Sequence, residues 1–141
     1  MKLIRNNIFE TNSSSTNSLI LDMDASLIIP DTIKMVEVGG SRDFDFNDTD
    51  SKFSILAYYC NSLEEFLYLC YKVYSFGVKN IELFKPETHS EISPDYKDWF
   101  WCDMGDSEDE LVSFINDEES LKHWLFSPDS GISGSDDEYD W

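Results

Sequence analysis

The stretch from Ser62 to Gly77 constrains the fold of this chain more than any other. Ser62-Leu63-Glu64-Glu65 is a capping box. The Ser62 hydroxyl can accept from the amide of Glu65, and the Glu65 side chain can reach back to the start of the helix. Phe66, Leu67, Leu69, Cys70, Val73 and Tyr74 then recur at three- and four-residue spacings, which is the period of a helix. Gly77 supplies the residue that most readily adopts the left-handed conformation past a helix end. A shorter helix precedes it over Phe53, Leu56, Ala57 and Cys60, with Asp50 or Ser51 as its cap.

Strand-type segments surround this pair. Leu19 to Leu21 is one, and Leu27 to Ile29, ended by Pro30, is another. Ile33 to Val38 alternates loosely and stops at Gly39-Gly40. Phe44 and Phe46 alternate with Asp43 and Asp45, giving an edge strand or a loop. Val78 to Phe84 is a strand stopped by Pro86. The polar run Thr11 to Ser18 is a loop by composition. Residues 85–106 form a polar, irregular stretch around Trp99-Phe100-Trp101. Ser107-Glu108-Asp109-Glu110 is a second capping box, opening a helix through Leu111, Val112, Phe114 and Ile115. Asp117 to Glu119 begins a last helix with Leu121, Trp124, Leu125 and Phe126, which Ser127-Pro128 ends. The expected fold is α+β: a small mixed sheet packed by a central helix, with a helical C-terminal segment. The expected organisation is a single domain over 1–126 and an acidic, flexible tail over 127–141. A chain of 141 residues suits one domain. With 41% hydrophobic and 15% aromatic residues it is not globally disordered.

Charge sets the functional argument. There are 29 acidic against 10 basic residues, a formal charge of -19. Solubility alone needs only a few units, and a like-charged surface repels itself. The excess is lopsided. Residues 1–42 hold four basic and five acidic residues, whereas residues 86–141 hold two basic and 17 acidic. That gradient points to an acidic face in the C-terminal half.

Three cysteines, Cys60, Cys70 and Cys102, form no CxxC pair. The N-terminus lacks the apolar core of a signal peptide, and no apolar run approaches the ~20 residues that span a bilayer. The expected compartment is a reducing cytoplasm, where the thiols stay free and the sequons at Asn12 and Asn47 carry no meaning.

Catalytic and metal readings find little support. Ser13, Ser14 and Ser15 lack a nucleophile elbow, and only His89 and His123 are present as bases. Arg5, Ser15-Thr16 and Glu108-x-Glu110 match the residue types of ADP-ribosyl transfer, but Arg5 is too close to Ser15 to lie on a separate strand of one cleft. Cys102, His89 and His123 lack the short paired spacing of a structural zinc site. Cys60 and Cys70 suit core positions better. Asp43-x-Asp45-x-x-Asp48-x-Asp50 lacks the glycine and glutamate of a calcium loop. No catalytic residue, metal or cofactor is assigned.

Two surfaces remain. Tyr58, Tyr59, Tyr68 and Tyr71 can line an aromatic patch of the kind enriched at interfaces. The acidic residues can imitate a nucleic acid, which presents about one charge per ~1.7 Å of duplex axis. Glu108, Asp109, Glu110, Asp117, Glu118 and Glu119 sit at the starts of two helices. Asp136, Asp137 and Glu138 follow, with Tyr139 and Trp141 placed to occupy base-stacking sites.

Arg5-Asn6-Asn7-Ile8-Phe9-Glu10-Thr11-Asn12-Ser13-Ser14-Ser15-Thr16-Asn17-Ser18 resembles the opening of a loose group of uncharacterised phage and bacterial proteins, R-x-x-x-F-E-T-N-S-S-S-x-x-S. Those proteins often have histidine where this chain has Asn17. The resemblance implies no activity, and no functional residue is carried over from it. It implies a phage or mobile-element source. In size and charge alone the chain is similar to small acidic phage inhibitors of host restriction and CRISPR enzymes. The expected partner is therefore a basic nucleic-acid-binding host protein, with no direct nucleic-acid binding and no membrane. The alternative is an accessory or assembly protein docking through its aromatic patch.

Overall fold

The computed structural model describes residues 2–8, 15–24, 26–39, 44–83, 100–101 and 107–136, with side chains described within 18–24, 26–39, 44–83 and 107–134. The fold is α+β. The strands are β1 (Lys2–Ile8), β2 (Ser15–Asp22), β3 (Thr32–Lys34), β4 (Val38–Gly39), β5 (Phe44–Phe46), β6 (Asn80–Glu82), β7 (Phe100–Trp101) and β8 (Gly131–Asp136). The helices are α1 (Thr49–Tyr58), α2 (Leu63–Ser75), α3 (Ser107–Ile115) and α4 (Glu118–Phe126).

The main sheet has the order β1-β2-β8-β5, antiparallel throughout, and β3–β6 and β4–β7 are short parallel pairs. The centre of the core is α1. Every residue from Lys52 to Ala57 on it is buried, and α3, α4, β3 and β4 pack around them, with Phe66 of α2 against Phe53. Apolar contact on several sides is what lets a short helix bury a Phe, an Ile and a Leu within about one turn. Asp48 caps this helix, accepting from the amide of Ser51 at 2.9 Å. The cap lies two residues before the expected position because the Asp50 carboxylate is engaged elsewhere, accepting from the amide of Lys34 at 3.0 Å.

That contact also explains why the expected strand Ile33–Val38 is broken. The amides of Lys34 and Val36 donate to Asp50 and Ser54 of α1, while the amide of Met35 between them donates to Glu82. Alternate amides face a helix rather than a strand, so the ladder is short. Leu27 to Ile29 is likewise not a strand; its Ile28 amide donates to the Phe126 carbonyl at the end of α4.

Two expectations for the polar segments are corrected. Ser15 to Ser18, expected in a loop, form the first half of β2; all four pair with β8, and Thr16 to Ser18 also pair with β1. Arg5 and Ser15, expected to be too close in sequence for separate strands, therefore lie on the neighbouring strands β1 and β2. The boundary at residue 127 also moves. Residues 127–136, expected in a flexible tail, belong to the domain, and β8 is an inner strand of the main sheet. Ile132 is buried there at 1% exposure. The composition that suggested mobility serves close packing: a Cβ on Gly131 would collide with the backbone carbonyl of Phe46. The Lys52 ammonium donates to the carbonyls of Ser127 and Ser130, both at 2.9 Å. Asp22 donates its amide to the Ser130 hydroxyl, and Trp124 donates its indole N–H to the Gly131 carbonyl. Small residues let three elements converge on this turn.

Candidate partner-binding surface

α2 begins as expected. The Ser62 hydroxyl accepts from the amide of Glu65 at 3.2 Å, and Gly77 has φ +119°, in the left-handed region. Phe66, Leu69 and Val73 form its buried side. Two contacts fix how α3 lies beside it. The hydroxyl of Tyr59, just before α2, donates to Glu108 at the start of α3 at 3.4 Å. Near the other end, the Lys72 ammonium donates to the carbonyl of Ile115, the last residue of α3, at 3.2 Å. These contacts set the two helices in the same sense, each with an acidic first turn: Glu64 and Glu65 on α2, and Glu108, Asp109 and Glu110 on α3.

The other triplet is elsewhere. Asp117, Glu118 and Glu119 open α4, which follows the far end of α3. Nine residues at ~1.5 Å rise place it about 13 Å from the first triplet along the helix axis. Acidic residues in a first turn interact favourably with the helix dipole, so each triplet also supports its own helix. Asp136 ends β8 opposite Ser15. Asp137, Glu138, Tyr139 and Trp141 lie outside the described residues, as do His89, Trp99 and Cys102.

Four of the described lysines make their contacts elsewhere. Lys52 and Lys72 are directed to backbone carbonyls, Lys72 also lies 4.6 Å from the Tyr68 ring centre, and Lys122 lies 5.8 Å from that of Phe76. Lys79 pairs with Asp31 at 3.7 Å, with both side chains in solvent. His123 faces Glu119 at 3.7 Å through Nε2, while its Nδ1 is buried without a hydrogen-bond partner. Glu108, Asp109, Asp117 and Glu118 have no lysine or arginine partner among the described residues.

Other sequence candidates have structural roles. Cys60 is buried, and its thiol donates to the Leu56 carbonyl. Burial pushes the Cys70 thiol up to about 11, which leaves little reactive thiolate at neutral pH. Asp48 and Asp50 place oxygens on backbone amides. Beside them, an open cleft of about 350 Å³ runs from Ile28 and Pro30 to Phe126 and Pro128.

The expected aromatic patch divides. Tyr58 and Tyr59 stack edge-to-face at 5.0 Å and pack, half-buried, on the core. Tyr68 and Tyr71 are exposed, and they are joined by Leu63, Leu67 and Tyr74, each at least 46% exposed. These last three were missed because α2 is apolar at every position from Phe66 to Tyr74 except Lys72. The available signal was a second stripe, 63-67-71-74, beside the buried 66-69-73 stripe.

No helix among the described residues is long and apolar enough to cross a membrane. No protein-family model, curated protein or solved structure matches this chain.

Proposed function

We propose that this chain is a non-catalytic acidic inhibitor that occupies the basic nucleic-acid-binding surface of a host defence protein. The observation that carries the reading is the set of carboxylates opening α3 and α4, of which Glu108, Asp109, Asp117 and Glu118 are exposed and have no lysine or arginine partner among the described residues. Two acidic clusters about 13 Å apart can meet cationic sites that otherwise hold backbone phosphates. Their field would speed association with a basic surface and make it sensitive to salt. The resemblance of the Arg5–Ser18 segment to phage and bacterial proteins supports a bacterial host as the setting.

A second reading, an accessory or assembly protein that docks through apolar contacts, is favoured by the exposed side of α2. Apolar docking tolerates salt, whereas contact between exposed charges is screened. The test is capture from bacterial host lysate by the tagged chain and by a variant carrying E108Q, D109N, E110Q, D117N, E118Q and E119Q. The inhibitor reading expects basic nucleic-acid-binding proteins on the unaltered chain, released by 0.5 M NaCl or by added duplex DNA and not retained by the variant. Partners held equally by both proteins in 0.5 M NaCl would overturn it in favour of docking.

A further inference from the structure

The outer side of α2 carries Leu63, Leu67, Tyr71 and Tyr74, at 53%, 55%, 69% and 46% exposure. At 3.6 residues per turn these four fall within about 80° of arc and extend over about 16 Å. Tyr68 borders the stripe, with the Lys72 ammonium over its ring. The other side of the same helix is already in the core through Phe66, Leu69 and Val73. A helix apolar on two sides has one more contact than its own fold uses, and a contiguous exposed stripe of this kind marks an interaction surface.

Charge selects the occupant. A second copy of the chain would bring another -19 against the first. The stripe also begins at the end of α2 that carries Glu64 and Glu65, and Glu108 at the start of α3 is held by the hydroxyl of Tyr59 just before that end. We infer that the outer side of α2 seats a cationic amphipathic helix of the partner, with apolar residues covering Leu63, Leu67, Tyr71 and Tyr74 and lysines or arginines meeting the carboxylates at the start of α2 and α3. This rests on the inhibitor reading and adds the form of the surface recognised: an apolar ridge flanked by positive charge. Recognition of an apolar ridge in a groove uses anchors at helical spacing, and the four stripe residues match that spacing.

The test uses three fluorescein-labelled 14-residue peptides. One is a leucine–lysine peptide with leucines at i, i+3, i+4 and i+7; one is an oligolysine of equal charge; one replaces the lysines of the first with glutamine. Binding is read by anisotropy in 0.15 M NaCl for the unaltered chain and for Leu67→Ser/Tyr71→Ser, which has the same charge. The leucine–lysine peptide is expected to bind the unaltered chain at least tenfold more tightly than the variant. Oligolysine should bind both equally, and the glutamine peptide should bind more weakly than the first. Equal affinity of the leucine–lysine peptide for both proteins would overturn the inference, while oligolysine binding would leave the inhibitor reading standing. If neither lysine peptide binds, both fail. Thermal melts and sedimentation accompany the titrations. An unchanged melting temperature and a monomer are expected. A large fall in melting temperature would mean that the chain covers the stripe itself, and a dimer lost in the variant would mean that a second copy does; either result overturns the inference.

Discussion

Lys52 has 1% of its surface exposed, and its ammonium is held by the carbonyls of Ser127 and Ser130 with the Trp124 ring centre 6.0 Å away. Burial pushes its pKa down from 10.5 to about 8, against the opposing pull of Asp48. The unfolded chain therefore holds this proton more strongly than the folded one between pH 8 and 10.5, and stability rises with pH through that window. The gain is on the order of 3 kcal/mol at ~1.4 kcal/mol per unit. Lys52→Met removes this rise and leaves two carbonyls unpaired, at about 1–3 kcal/mol each. Denaturant melts of both proteins at pH 7.5, 9 and 10.5 should show the variant less stable at every pH, with the gap widening as pH increases. Tyrosines and the other lysines titrate in both proteins and cancel in the comparison. Nothing in the sequence marks Lys52 as buried. Its acceptors lie 75 and 78 positions away, and a lysine between Ser51 and Phe53 looks like the wet side of an amphipathic helix. Ser62 and Gly77 were legible because a cap is decided by residues within one turn.

The same contrast holds for whole elements. α2 was readable from its capping box and apolar period, α3 and α4 from apolar period and acidic first turns; Ser107, expected to cap α3, is the first residue of that helix, and Asp117 makes no side-chain cap hydrogen bond at α4. β8 was not readable. Gly131, Ser133, Gly134 and Ser135 carry no strand propensity, and only pairing with β2 and β5 makes the segment a strand. Position in the sheet gives a direct prediction. Truncation after Pro128 removes β8 from between β2 and β5 and takes Ile132 out of the core. The shortened chain is expected to lose cooperative unfolding by circular dichroism and near-UV signal from its aromatics. Retention of a sharp melt would show the four-stranded sheet to be dispensable. Deletion of this segment therefore cannot report on partner contacts, and charge-neutral substitutions at Glu108–Glu110 and Asp117–Glu119 are the cleaner probe. The exposed stripe on α2 was hidden for a related reason: sequence period shows that a helix has apolar sides but not which neighbours arrive to cover them.

Across the whole molecule, charge acts with opposite signs on folding and on association. A formal charge of -19 repels itself in the folded state, and the Debye length falls from ~30 Å at 0.01 M salt to ~8 Å at 0.15 M. The melting temperature should therefore rise between 0.01 and 0.3 M NaCl, while affinity for a basic partner falls over the same range. Calorimetry and binding titrations in matched buffers check both; a melting temperature that falls with salt would mean that net attraction among the surface charges prevails. The sheet has a temporal consequence as well. Asp22 and Ser130, 108 positions apart, meet where β2 adjoins β8, so the closing step must bring together distant parts of the chain. Such closure slows folding far more than it weakens the product. Until it happens, β2 and β5 each present an unpaired edge open to another chain. The interval before β8 docks is thus when this protein is most exposed to aggregation, and the repulsion between its many carboxylates has its greatest protective value then.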